Sequence, residues 1–429
     1  MKVKALKTAV MAGCFALMTP LLALAEEAPK LDTGDTAWLL ISSALVLLML
    51  PGLALFYGGM VRAKNVLSSM MHSFVVMGLV AVQWLIIGYT IGFGDDRSGF
   101  FGGLNKLMFN GITIDSLSGT IPEYVFAMFQ AMFAIITIAL ISGALAERIK
   151  FSAYCVFAVL WTTLVYDPIA HWVWGGGWLA NLTPAALDFA GGTVVHLSSG
   201  ISAMALIMFL GKRHGYPTER MAPHSLPLTL LGAGLLWFGW YGFNAGSALA
   251  ANGTAALAFT TTTVAPAAAG LAWMFAEWIH AGKPSALGFA SGIVAGLVAI
   301  TPAAGFVTPG WALVIGIGAG IICYAAVLMK AKLKYDDSLD AFGIHGVGGA
   351  FGAIATGAFA TVGATGLIMG NAAQFVSQLI AVAAAGAYAF IVTCVLGFLI
   401  DKTIGLRVDK EDEIMGLDQT QHSESGYNF

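Results

Sequence analysis

Eleven apolar runs, at about 36–61, 68–93, 121–146, 151–172, 191–210, 226–246, 255–279, 285–303, 310–329, 341–361 and 373–400, account for most of this chain of 429 residues. Crossing a hydrocarbon core ~30 Å thick takes roughly 20 residues of helix, and the runs match that length. Charged residues make up 10% of the chain and hydrophobic ones 58%, whereas a soluble domain carries about 25% charged residues. The chain therefore reads as a multi-spanning membrane protein. Its 53 glycines favour a tightly packed helical bundle, because small residues let helix backbones approach in lipid. A β-barrel would show ~10-residue segments of alternating hydrophobicity, and the sequence contains none.

Residues 1–25 read as a secretory signal: Lys2, Lys4 and Lys7 precede an apolar stretch from Thr8 to Leu24, and Ala23-Leu24-Ala25 offers small residues for cleavage. The alternative is an uncleaved extra span, which the short apolar stretch and Pro20 disfavour. Arg62/Lys64, Arg148/Lys150, Lys212/Arg213/Arg220, Lys283 and Lys330/Lys332/Lys334 follow the odd-numbered spans, and Lys402/Arg407/Lys410 follow the last. Loops after even spans hold little beyond Arg97 and Lys106. Positive charge stays inside, so the mature N-terminus is expected in the periplasm and the C-terminus in the cytoplasm. Cys155, Cys323 and Cys394 lie singly in apolar spans, which fits neither a disulfide framework nor a cysteine-ligated metal. No basic patch suits nucleic acid.

Ionisable groups inside lipid cost at least ~2.5 to 3.5 kcal/mol each, which makes them candidates for function. Two histidines lie in glycine-rich apolar stretches, each eight residues after an aspartate: Asp188 with His196, and Asp337 with His345. One pair sits at the fifth span and the other at the tenth. A block of five spans reverses chain direction, so the halves form an inverted repeat, an arrangement that places sites near the midplane. Eight helical residues advance ~12 Å, so the two histidines are expected to meet near the centre, His196 slightly outward of His345. The aspartates suit helix capping, since a carboxylate accepts N–H bonds at a helix start and complements its dipole. A lone buried histidine also fits a satisfied core polar group; the converging pair argues for function.

Three features fall on the outer half. Trp174 ends the fourth span, Phe243 and Ser247 share a face at the end of the sixth, and Phe133 lies below the outer end of the third, beside Gln130. An aromatic face and a hydroxyl acceptor above two phenyl rings and two histidines suit a small cation that donates hydrogen bonds. Any one of these aromatics could equally belong to an interfacial belt.

These stretches also resemble the ammonium transporter (Amt/Mep/Rh) family, of bacterial Amt type, from about residue 35 to the end. The segments that carry the likeness are PGLALFYGGMVRAKN (51–65), GALAERIKFSA (143–153), PIAHWVWGGGW (168–178), LDFAGGTVVH (187–196), GWYGFNAGS (239–247), TPAAG (301–305) and AFGIHGVGG (341–349). The resemblance implies an all-α integral membrane protein of eleven transmembrane helices with an inverted five-plus-five repeat, assembled as a homotrimer in the cell inner membrane. By the same resemblance Trp174, Ser247 and Phe133 bind ammonium, with Asp188 ordering that site. Phe133 and Phe243 form the gate, His196 and His345 line the pore, and Gln130, Thr301 and Asp337 support it. Membrane domain 26–404 would comprise half-repeats 36–212 and 224–362 and a last helix at 373–404.

The expected activity is ammonium uptake by recruitment, deprotonation and conduction of ammonia, with the histidines available as a proton relay. A passive ammonia channel, or a sensor acting mainly through PII-type protein binding, is the alternative. No HExxH or GxSxG motif supports an intramembrane enzyme, and no cofactor or metal is expected. Residues 405–429 are polar and partly acidic. They read either as a solvated tail or, as in the family, as a regulatory segment that supports docking of a PII-type signal protein on the cytoplasmic face.

Overall fold

The computed structural model describes residues 30–427; the expected signal at 1–25 lies outside them. Among the described residues, ten helices are long and apolar enough to cross a membrane: α1 Thr33–Met60, α2 Ala63–Phe93, α3 Glu123–Leu145, α4 Phe151–Val173, α5 Gly192–Leu210, α6 Leu226–Gly246, α7 Gly253–Ala281, α9 Pro309–Leu333, α10 Phe342–Phe359 and α11 Ala372–Thr403. The eleventh, α8 Ala286–Ile300, is apolar but shorter. Sequence reading carries that span to 303. The chain instead turns at Thr301-Pro302, where proline has no N–H to continue the helical ladder.

Helix starts follow local chemistry. Asp32 accepts Asp35 N–H at 2.9 Å, Asn252 accepts Thr254 and Ala255 N–H, and Asn371 accepts Gln374 N–H. Each cap satisfies a donor that the first turn leaves without a partner.

Glycines set the packing. A Cβ on Gly232 of α6 would lie 2.3 Å from Phe56 N of α1, and one on Gly316 of α9 would lie 2.3 Å from Ala265 O of α7. Helices α1 and α6, the first of each half, therefore pack backbone to backbone. Nearly all of α3 is buried between its neighbours, and α11 braces α5 and α4 from outside.

Among the described residues, four spans contain a π-turn: Trp84–Gly88 in α2, Thr162–Tyr166 in α4, Gly192–Leu197 in α5 and Phe342–Gly346 in α10. Such turns cluster at functional sites. The expected eight-residue helical advance from aspartate to histidine is not what forms in α5. Gly191 adopts φ +111°, and the helix begins only at Gly192. Asp188 is consequently buried in the loop before α5 and does not sit at the surface.

The tail is ordered against the end of the bundle opposite Trp174. Short helices α12 Lys410–Met415 and α13 Leu417–His422 dock where Asp418 Oδ1 accepts Ser68 N–H at 2.8 Å and Asn65 Oδ1 accepts Leu417 N–H at 2.8 Å. The segment is thus docked and not simply solvated: the Asp418 carboxylate meets an N–H group in the first turns of α2, a favourable placement for negative charge.

Candidate functional site

At the Trp174 end, a pocket of about 310 Å³ is lined by Gln130, Phe133, Trp174, Phe189, Ser247 and neighbouring apolar groups. Ser247 Oγ donates to Phe243 O at 2.9 Å, which leaves its lone pairs to accept from a ligand. Gln130 Oε1 is buried without a donor. Trp174 donates its indole N–H to Asp188 O at 2.8 Å and sets its ring edge-on to Phe133, with centroids 5.9 Å apart. The pocket thus offers aromatic surface and acceptors, and no cationic side chain lines it.

Below this mouth Phe133 and Phe243 stack at 4.2 Å between centroids and 24° between planes. Both rings are buried, Phe133 lining the pocket above and Phe243 the cavity beneath. Beneath them His196 and His345 lie with ring centroids 5.3 Å apart and Nδ1 atoms 3.3 Å apart. A bond between two such nitrogens needs one N–H donor and one lone pair, so the neutral pair shares a single proton along that line. The accompanying cavity, lined by Leu53, Ile136, Leu140, Trp240, Phe243 and both histidines, holds only about 10 Å³. That is the scale of one water-sized molecule. His196 Nε2 has no partner.

Symmetric glycines let the halves meet there. Four residues after His196, a Cβ on Gly200 would fall 2.0 Å from Gly346 N; four residues after His345, a Cβ on Gly349 would fall 2.7 Å from Leu197 N. Only bare backbone at both crossings permits the two π-turns to touch. The rings meet because these helices can.

The aspartates hold the helix starts. Asp188 Oδ1 accepts Gly191 and Gly192 N–H at 2.8 and 2.6 Å, and Oδ2 accepts Thr193 and Val194 N–H at 2.8 and 3.0 Å. Burial pushes this carboxyl above its ordinary range, against the pull of those four N–H groups. Asp337 accepts Ala341 and Phe342 N–H at 3.0 and 2.8 Å. Burial, then the neighbouring Asp340 charge, raises it as well.

Sequence reasoning missed two partners. Trp240 stacks on His196 at 5.3 Å and 21°, and its indole N–H donates to Thr301 Oγ1 at 2.9 Å; its position three residues before Phe243 was the available signal. Gln378 of α11 accepts Leu187 N–H at 2.6 Å and donates to Leu187 O at 2.7 Å, pinning the loop that carries Asp188. No local pattern announces that contact.

A profile of the Ammonium Transporter Family matches residues 37–427. The chain belongs to the ammonium transporter family. Amt1 of Archaeoglobus fulgidus, an ammonium transporter, is 50% identical over 400 residues, covering 92% of this chain and 100% of that protein. The Mep2 crystal structure from Saccharomyces cerevisiae superposes with a TM-score of 0.83 at 37% identity and 89% coverage of both chains. A chain described as "Sensor Amt Protein" gives 0.86 at 30% identity, covering 91% of this chain and 98% of that one. This family member is a multi-pass membrane protein of ammonium transport.

Proposed function

We propose that this transporter captures ammonium at Trp174, Ser247, Phe133 and Gln130, removes a proton there, and passes ammonia beyond Phe133 and Phe243 along His196 and His345. The observation that carries this reading is the stacked phenyl pair above two histidines bonded 3.3 Å apart in a passage the size of one small molecule. Cation–π attraction gives ~0.5 to 2 kcal/mol, whereas a charge at the bilayer centre costs from ~2.5 to more than 10 kcal/mol. The mouth can therefore concentrate the cation but cannot by itself carry it across. Loss of the proton removes most of that barrier, and potassium has none to lose. Two neutral imidazoles each donate and accept, so the pair can contact ammonia and relay the released proton.

Asp188 and Asp337 hold the helix starts in this scheme, and Thr301 holds Trp240 against His196. The Trp174 end faces the periplasm, in keeping with the basic loops at the opposite end. We assign the protein to the cell inner membrane as a homotrimer with one pore per subunit. The tail end presents a pocket of about 260 Å³ bordered by Arg213, Tyr216, Glu219, Lys330 and Asp340 beside the docked segment. This surface suits a PII-type signal protein.

In liposomes under an ammonium pulse, the wild type gives a current that excludes potassium. His196→Ala/His345→Ala loses the current or admits potassium; a full potassium-excluding current in that variant refutes the relay. A wild type that moves ammonia without current is a passive channel. Deleting 408–429 changes transport or PII binding, and unchanged behaviour in both assays removes the regulatory role.

A further inference from the structure

Asp167 is a carboxyl group inside a membrane-spanning helix, fully buried, and none of the described cationic side chains pairs with it. Its one side-chain partner is Gln83 of α2, whose Nε2 donates to Asp167 Oδ2 at 2.7 Å and to Thr163 Oγ1 at 3.0 Å. The second oxygen of each group, Asp167 Oδ1 and Gln83 Oε1, is buried without a donor. An ionised carboxylate beside an amide oxygen would leave two acceptors unsatisfied and a charge uncompensated in lipid, both of which are costly. One proton on the carboxyl gives Oδ1 a hydrogen to donate and Gln83 Oε1 a hydrogen to accept.

The backbone is arranged for this pairing. Gln83 directly precedes the α2 π-turn Trp84–Gly88, and Asp167 directly follows the α4 π-turn Thr162–Tyr166. Beyond the pair, α4 runs through Asp167–Val173 to Trp174. That segment is tied to the end of α2 and the loop after it by His171 Nδ1 to Gly92 O at 3.0 Å, His171 Nε2 to Asp96 Oδ1 at 2.8 Å and the Trp172 indole N–H to Phe100 O at 2.8 Å. The Gln83–Asp167 pair is the deepest of these ties.

We propose that Asp167 is held as a neutral carboxylic acid, hydrogen-bonded both ways to the Gln83 amide, and that this acid–amide lock between α2 and α4 positions Trp174 at the mouth. Asp167 is a positioning residue and touches no substrate; the role rests on the recruitment site proposed above.

Asparagine reproduces the neutral acid, since its NH2 can donate to Gln83 Oε1 and its oxygen can accept from Gln83 Nε2. Asp167→Asn is therefore expected to keep the wild-type KM for ammonium within about twofold, and Asp167→Val to raise it on the order of fivefold, one lost hydrogen bond, with kcat little changed. Infrared spectra of the wild type should show a protonated-carboxyl band that persists at alkaline pH and disappears in Asp167→Asn. Should Asp167→Val not fold, Gln83→Leu serves, with the same KM rise expected. Loss of transport in Asp167→Asn, or absence of that band, overturns the neutral acid. An unchanged KM in Asp167→Val or Gln83→Leu overturns the positioning role. If the recruitment site itself is misassigned, Trp174→Ala leaves KM unchanged while the infrared result stands, which separates the two failures.

Discussion

Asp188 and Asp337 stand at matching places in the two halves, and they are satisfied differently. Asp188 takes four backbone N–H bonds and has no side-chain cation. Asp337 takes two, and Lys330 stands beside it, donating to its carbonyl oxygen at 2.9 Å and pairing with Asp340. Around the first lies a pocket of aromatic rings and acceptors. Beyond the second lies an ionic cluster in which Arg213 bonds Asp336 and Glu147, Arg62 bonds Glu147, and Arg148 approaches Asp336. One scaffold repeated in inverted orientation thus carries different electrostatics at its ends, uncharged acceptors at one and paired charges at the other. In the mechanism proposed above, the Trp174 end offers a cation acceptors with no competing cationic side chain, whereas the carboxylates at the other end are already paired with Arg62, Arg213 and Lys330.

The largest effect should come from Asp188→Ala, which strands four N–H donors at ~1 to 3 kcal/mol each. Loss of folded protein by size-exclusion chromatography, together with loss of uptake, is expected. Asp337→Ala strands two and should give folded protein with reduced uptake. The reverse ranking would break the comparison.

Next come the glycine crossings. Gly200→Val and Gly349→Val each force the halves apart at a site where overpacking costs ~1 to 3 kcal/mol. Both are expected to cut ammonium current at least ~10-fold by parting the histidine rings. If either variant transports normally, ring contact is not required.

A smaller effect is expected from Lys330→Met. Removing one partly screened charge should change the ratio of inward to outward ammonium current by about two- to fivefold. An unchanged ratio would mean that the cation does not influence direction.

Acid should separate the two ends most gently. Burial acts to raise the Glu147 carboxyl, but its bond to Arg62 and the charge of Arg213 hold it below its ordinary 4.5. Asp336 is likewise held below 3.8 against burial by Arg213 and Arg148. A depressed carboxyl stabilises the fold fully above its ordinary value, and that contribution fades as pH falls through the lower, folded value. Asp188, being raised, has the opposite sign: its burial penalty is relieved as pH falls. Hydrogen exchange from about pH 6 to about pH 3 should therefore show protection lost at 147–150 and 211–216 but kept at 191–194. Equal loss at both ends would contradict the contrast.

Much of the fold was legible because lipid imposes length and hydropathy on every span. The Asp-to-His repeat was legible because both halves keep it. The π-turns were not, since a single extra residue in a helical turn leaves no mark on an apolar pattern. Gln83 and Asp167 lie within or beside apolar runs and acquire meaning only when α2 and α4 pack side by side. The tail's acidic residues left a solvated reading open beside the regulatory one, and composition could not show that Glu413 and Asp418 find N–H groups of His214 and Ser68 on other segments.

By itself the sequence determined that this protein lies in a membrane as a bundle of apolar helices, and which polar residues those helices carry. Those are consequences of local transfer energies, which each segment meets alone. Only the tertiary structure decided that His196 and His345 stand 3.3 Å apart, that Phe133 covers Phe243, and that Asp188 spends both oxygens on backbone N–H groups. These depend on where glycine allows two backbones to cross, a property shared by distant segments and carried by neither one.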